Sequence, residues 1–133
     1  WAMQAAFPDA PPSGSLARTA FEWMTGGRLL VQRWEVDVPE APDGIAIIGV
    51  RPDGDGYLQH YFDSRGVVRV YEMTLGDGVW ELLRVKPDFS PLDFSQRFIG
   101  RFSEDGVTID GRWETSDDGS NWRLDFELAY TRV

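Results

Sequence analysis

Apolar and polar positions alternate along most of this chain with a period of two. The run Trp122-Arg123-Leu124-Asp125-Phe126-Glu127-Leu128-Ala129-Tyr130-Thr131-Arg132 does so most plainly, the signature of a strand with one buried face. The same reading predicts strands over residues 1–7, 16–24, 28–38, 45–50, 57–62, 67–74, 79–85, 94–102, 107–115 and 122–132. Between them stand Gly26-Gly27, Asp63-Ser64-Arg65-Gly66, Gly76-Asp77-Gly78, Glu104-Asp105-Gly106 and Asp117-Asp118-Gly119, turn formers at the spacing of successive hairpins, with no amphipathic helix intervening. Pro8, Pro11 and Pro12 mark a first loop and Pro39 and Pro42 another. Pro87 and Pro91 fall in a longer connection, residues 86–93, a candidate lid. About ten antiparallel strands in meander order predict an all-β, up-and-down barrel, the closure that leaves no exposed edge. At 133 residues the chain makes a single domain, 1–133.

Residues opposite one another across a hairpin share a face, so the turns predict the interior. A tight turn at 75–78 sets Glu72 opposite Glu81, a pair that belongs in water, and so turns Arg69, Tyr71, Met73, Trp80, Leu82 and Arg84 inward. A tight turn at 63–66 pairs Phe62 with Val67 and His60 with Arg69, adding Leu58, His60 and Phe62. The first hairpin sets Arg18 beside Glu35 and Glu22 beside Val31, leaving Thr19, Phe21, Trp23, Leu30, Gln32 and Trp34 inside. The last strands contribute Phe94, Gln96, Phe98, Phe102, Val107, Ile109 and Trp113, then Trp122, Leu124, Phe126, Leu128 and Tyr130, with Gly100 and Gly111 marking a bend in the wall.

Composition narrows the chemistry. With 22 acidic and 13 basic residues the formal charge is −9, which argues against nucleic acid and anionic lipid as partners. The absence of cysteine removes disulfides, thiolate metal sites and a cysteine nucleophile. No apolar run reaches membrane-spanning length, and a cytoplasmic location is the default expectation. Trp1 opens the chain in what reads as strand, as though residues preceded it. Asp53-Gly54-Asp55-Gly56 and Ser116-Asp117-Asp118-Gly119-Ser120-Asn121 carry calcium-loop residue types without the spaced ligand set, so no metal is expected there. No Gly-x-Ser-x-Gly elbow occurs. Asp63 and Arg65 stabilise their turn by local hydrogen bonding.

An aromatic interior that also holds Gln32, His60, Arg69, Tyr71, Arg84 and Gln96 differs from a filled core, because buried guanidinium and imidazole groups require partners. Arg69 and Arg84, with few inward carboxylates on offer, invite an anionic ligand whose carboxylate takes bidentate hydrogen bonds. The expected site is a cavity for a small hydrophobic or aromatic, anionic molecule. Gln32, His60, Arg69, Tyr71, Arg84 and Gln96 supply its polar contacts, and Trp23, Trp34, Trp80 and Trp113 its walls. No cofactor is required, and a homodimer is left open. Two alternatives rest on His60, the sole histidine: a cyclase or isomerase-type enzyme in which His60 with Tyr71 moves a proton, and haem binding with His60 as axial ligand.

Phe21-Glu22-Trp23-Met24 before Gly26-Gly27-Arg28, then Gln32-Arg33-Trp34-Glu35-Val36, His60-Tyr61-Phe62-Asp63-Ser64-Arg65-Gly66, and Gly111-Arg112-Trp113-Glu114 before Ser116-Asp117-Asp118-Gly119 and Trp122 resemble a bacterial family of uncharacterised lipocalin-like proteins over essentially the whole chain. The resemblance implies the calycin fold shared by lipocalins, fatty-acid-binding proteins and nitrobindin-like haem proteins: a meander barrel with a central cavity. It implies no activity. By analogy with fatty-acid-binding proteins it is compatible with a carboxylate held by Arg69, Tyr71 and Arg84.

Overall fold

The computed structural model describes residues 1–8 and 17–133. The expected loop at Pro11 and Pro12 and the expected strand start at Leu16 lie outside the described residues. Among the described residues ten strands form: β1 (Ala2–Ala6), β2 (Ala17–Trp23), β3 (Leu30–Val36), β4 (Gly44–Val50), β5 (Tyr57–Asp63), β6 (Val68–Gly76), β7 (Val79–Arg84), β8 (Ser95–Phe102), β9 (Thr108–Ser116) and β10 (Arg123–Thr131). Each pairs antiparallel with the next, and β1 pairs with both β2 and β10, closing an up-and-down barrel. The architecture is consistent with a calycin-like fold.

Two turns and one bulge decide which side chains the interior receives. Between β6 and β7, Asp77 and Gly78 both take positive φ (53° and 73°), the two-residue hairpin geometry that Asp-Gly favours. Thr74 thereby faces Glu81, and Glu72 faces Leu83 rather than Glu81. The register differs by two from the sequence expectation, and a shift of two preserves faces. Tyr71, Met73, Trp80, Leu82 and Arg84 are buried as expected.

Between β5 and β6 the outcome is different. The Asp63 N–H donates to Val67 O, the Gly66 N–H donates to Asp63 O, and Gly66 has φ 84°. This is a three-residue connection with a glycine bulge, and it pairs Phe62 with Val68 and His60 with Val70. One added residue exchanges the two faces of β5. Leu58, His60 and Phe62 therefore face out, correcting the expectation, while Tyr57, Gln59 and Tyr61 share the inward face with Met73, Tyr71 and Arg69.

A bulge also interrupts β10, where Leu124 faces Glu114 but Phe126 faces Trp113. Phe126, Leu128 and Tyr130 point inward as expected. Trp122 and Leu124 do not: Trp122 covers the Arg97 guanidinium at 4.3 Å on the outer wall, beside the Arg97–Glu114 and Arg112–Glu114 ion pairs.

The barrel end carrying the β2–β3, β4–β5, β6–β7 and β8–β9 turns is filled by Ile48, Met73 and Ile109 with Phe21, Leu30 and Tyr57 against them. Gly100 and Gly111, expected at a bend, stand opposite each other and give Phe98 its seat. A Cβ on Gly111 would fall 2.5 Å from that ring.

Candidate functional site

The other half of the barrel is hollow. A cavity of about 500 Å³ runs from the end bearing the β3–β4, β5–β6 and β7–β8 connections down to Met3, Trp80 and Tyr130. Protein interiors are otherwise close-packed, with few voids larger than a water.

Aromatic rings in contact make most of the wall. Trp34 stacks on Tyr61 (centroids 5.3 Å apart, 27° between planes), Tyr61 meets Tyr71 edge-on at 6.1 Å, Tyr71 meets Trp113 at 5.6 Å, and Trp113 meets Phe98 at 5.3 Å. Trp34 reaches this position because Gly44, opposite it on β4, offers no side chain to obstruct the indole. Its Nε1–H donates to Pro42 O at 3.1 Å.

Polar groups interrupt the aromatic wall at three levels. Near the mouth, Gln96 Oε1 accepts from Arg69 Nη1 at 3.0 Å and from the Tyr71 hydroxyl at 2.8 Å, and the Arg69 guanidinium lies 5.6 Å over the Phe94 ring. Burial pushes the Tyr71 phenol above its ordinary pKa, against the pull of Arg69. At the mouth itself the Tyr61 hydroxyl donates to Asp63 Oδ2 at 2.6 Å, and Arg65 pairs with the same carboxylate at 2.7 Å. Burial of Asp63 opposes its ionisation, but hydrogen bonds from Arg65 and Tyr61 outweigh burial and hold its pKa below the ordinary value. Deeper down, Gln32 Nε2 donates to Thr19 Oγ1 at 3.2 Å, which donates to Arg33 O at 3.0 Å. Burial pushes the Tyr130 phenol well up, offset in part by Gln32.

Seven of the ten expected ligand-binding residues line this cavity: Gln32, Trp34, Arg69, Tyr71, Trp80, Gln96 and Trp113. The other three are placed elsewhere. Trp23 stands at the opposite rim with 63% of its surface exposed. His60 is on the outer wall between Ile47 and Val70, because the glycine bulge turned its strand over. It shares no face with Tyr71, so the proton-moving pair expected from the sequence is not assembled, and no imidazole enters the cavity to ligate a haem iron. Arg84 is buried and inward as expected, yet it has a carboxylate of its own. Asp88, from the connection between β7 and β8, accepts from Arg84 Nε at 2.8 Å and Nη2 at 3.1 Å. That connection, the expected lid, is tied to β6 by the Val70 N–H donating to Asp88 and by Ser90 Oγ donating to Val68 O.

Tyr61, Gln59 and Arg65 are lining residues that sequence reasoning missed. The signal for the first two was Gly66, whose position fourth in Asp63-Ser64-Arg65-Gly66 marks a bulged turn rather than a two-residue one. No family model and no curated protein sequence matches the chain.

Proposed function

We propose that this barrel binds a small hydrophobic or aromatic carboxylate, with Arg69 as its anion contact and the Trp34–Tyr61–Tyr71–Trp113 wall as its apolar surface. The size of the cavity supports the reading, since about 500 Å³ falls within the range of small-molecule sites. The observation that carries it is the state of the arginines. Arg84 is neutralised by Asp88 and Arg65 by Asp63, whereas Arg69 lines the cavity and, among the described residues, forms no ion pair. A partly desolvated guanidinium whose hydrogen-bonding neighbours are the neutral Gln96 amide and Tyr71 hydroxyl gains most from an incoming carboxylate. A bacterial calycin-like binding protein is the kind of molecule this describes, and it needs no chemistry from His60.

The test is calorimetric titration of aromatic and aliphatic carboxylates beside their primary amides. A charge-assisted hydrogen bond contributes about 1.5–3 kcal/mol, so Arg69→Met weakens carboxylate binding roughly 10- to 100-fold and leaves the amides nearly unchanged. Equal affinity for acid and amide in the native protein, or an Arg69→Met variant with native affinity for acids, overturns the proposal.

A further inference from the structure

The wall of the cavity holds a polar side chain with no protein partner. Gln59 is 3% exposed and lines the cavity. Among the described residues its carboxamide makes no hydrogen bond, and the one unpaired side-chain polar atom that is sealed from every opening is Trp80 Nε1. The Gln59 amide is therefore open to the hollow that it faces.

Its neighbours are committed elsewhere. On the inward face Ile48 and Tyr71 stand opposite Gln59 on the adjacent strands, and Tyr57 and Tyr61 flank it on its own. Ile48 is apolar, Tyr57 packs into the filled end, the Tyr71 hydroxyl donates to Gln96 and the Tyr61 hydroxyl donates to Asp63. Beyond Ala46 of β4, Gln32 donates to Thr19 Oγ1 and lies beside the Tyr130 hydroxyl. A buried amide left unpaired forfeits the bonds it made with water, and an entering molecule with matching groups restores them. A carboxamide presents a donor beside an acceptor in either orientation of the group. The groups that satisfy both at once are a primary amide and a lactam, whose N–H and C=O close a ring of two hydrogen bonds with it.

Gln59 also stands apart from the anion contact. Arg69 faces Tyr61, so Gln59 lies one pleat deeper on the adjacent strand, a diagonal of about 7–8 Å between backbones. The guanidinium leans the other way, to Gln96 on β8, which widens the gap to the length of a two-ring skeleton.

We propose that the ligand is an amide-bearing acid, with its carboxylate on Arg69 and a primary amide or lactam at its other end paired to the Gln59 carboxamide. This rests on the carboxylate reading above and adds a second polar end to it. Arg69 selects for the charge, and Gln59 selects among acids for those with a donor and an acceptor side by side. Gln59 is thus a specificity-determining residue.

The probes are 6-carbamoyl-2-naphthoate, 6-acetyl-2-naphthoate and 6-isopropyl-2-naphthoate, alike in shape and offering donor with acceptor, acceptor alone and neither. Each is titrated calorimetrically against the native protein, Gln59→Met and Arg69→Met. The native protein binds the carbamoyl acid about tenfold more tightly than the isopropyl acid, with the acetyl acid between them, the effect of neutral hydrogen bonds to a buried partner. Gln59→Met keeps the length of the side chain and removes both polar groups, so the ratio of carbamoyl to isopropyl affinity falls about tenfold and the isopropyl acid binds no more weakly than before. Arg69→Met weakens all three acids and keeps their order. No preference in the native protein, an acetyl acid as tight as the carbamoyl acid, or a ratio that survives Gln59→Met overturns the Gln59 assignment, and the carboxylate reading stands as long as Arg69→Met weakens the acids. Binding that ignores Arg69→Met sinks the carboxylate reading instead, and failure of all three acids to bind ends both. If Gln59→Met does not fold, amide resonances of the native protein give the same decision: the Gln59 Nε2 hydrogens move downfield with the carbamoyl acid and not with the isopropyl acid, and equal shifts refute the assignment.

Discussion

Replacing Asp88 by Asn should unfold this barrel more readily than any surface change, because the carboxylate closes a buried circuit. Its side chain is 9% exposed and that of Arg84 is 4% exposed. Its oxygens accept from Arg84 Nε and Nη2, from the Val70 N–H at 2.8 Å and from the Ser90 N–H at 3.0 Å. The amide keeps the shape but not the charge, and its NH2 group offers hydrogens where donors already point. A buried ion pair broken on one side costs about 3–5 kcal/mol, since the remaining charge is left uncompensated. With some relaxation of the guanidinium toward Ser90 O and Pro91 O, 3.4 and 3.3 Å away, a loss near 3 kcal/mol is expected, equivalent to roughly 10 °C in Tm for a domain of this size. Urea unfolding followed by tryptophan emission measures it. The double variant Arg84→Met with Asp88→Asn removes both charges while keeping a side-chain oxygen for the Val70 and Ser90 N–H donors, and should recover at least half of the loss. A single-variant loss below about 1 kcal/mol, or a double variant less stable than the single, refutes the account of Arg84 as a structural cation with a committed partner.

The remaining expectations follow from the same geometry. In acid, Asp88 loses stability in a defined direction: Arg84 and two backbone N–H groups depress its folded pKa, so its contribution is complete above the unfolded carboxyl value near 3.9 and declines as pH falls below it. Native protein should therefore lose stability more steeply below about pH 4 than Asp88→Asn does, and parallel curves would count against this. Gly111→Ala places a methyl against the Phe98 ring and 2.7 Å from Leu128 O, an overpacking worth about 2–3 kcal/mol. Gly106→Ala meets nothing within 4 Å and pays only for its positive φ of 70°, about 1 kcal/mol, so equal losses in thermal unfolding would contradict the packing account. His60→Ala should leave carboxylate affinity within about twofold, because His60 lies outside the cavity; a tenfold loss in the calorimeter would put its outward orientation in doubt.

Most of the fold was legible because alternation is a local signal. In β2 and β3 the pairing Arg18–Glu35 and Glu22–Val31 was read correctly, since Gly26-Gly27 is an unambiguous turn and each strand has one apolar face. Between β6 and β7 the register expected from Glu72 and Glu81 was displaced by two, yet the site residues were still assigned to the right face, because the side-chain period is itself two. Arg84 shows what alternation leaves out. Its orientation was legible, but its partner Asp88 comes from a connection whose path over the β6 edge is set by tertiary hydrogen bonds.

The strand that misled is the one whose composition cannot choose a face. Tyr57-Leu58-Gln59-His60-Tyr61-Phe62 places an aromatic or aliphatic residue on both sides and a polar one on both sides, so hydrophobicity is silent and the register depends wholly on one turn. A two-residue turn would have offered His60 and Phe62 to the cavity. The glycine bulge at Gly66 offers Gln59 and Tyr61 instead. That single φ above zero takes the sole imidazole out of the interior and brings in the Tyr61 ring that stacks on Trp34. The bulge at Asp125 acts likewise at the closing strand, sending Trp122 out to cover Arg97 and turning Phe126 in beside Trp113. The chemistry within reach of a ligand is thus set by two inserted residues at the ends of strands, where one position of slip exchanges an acid–base group for an aromatic wall.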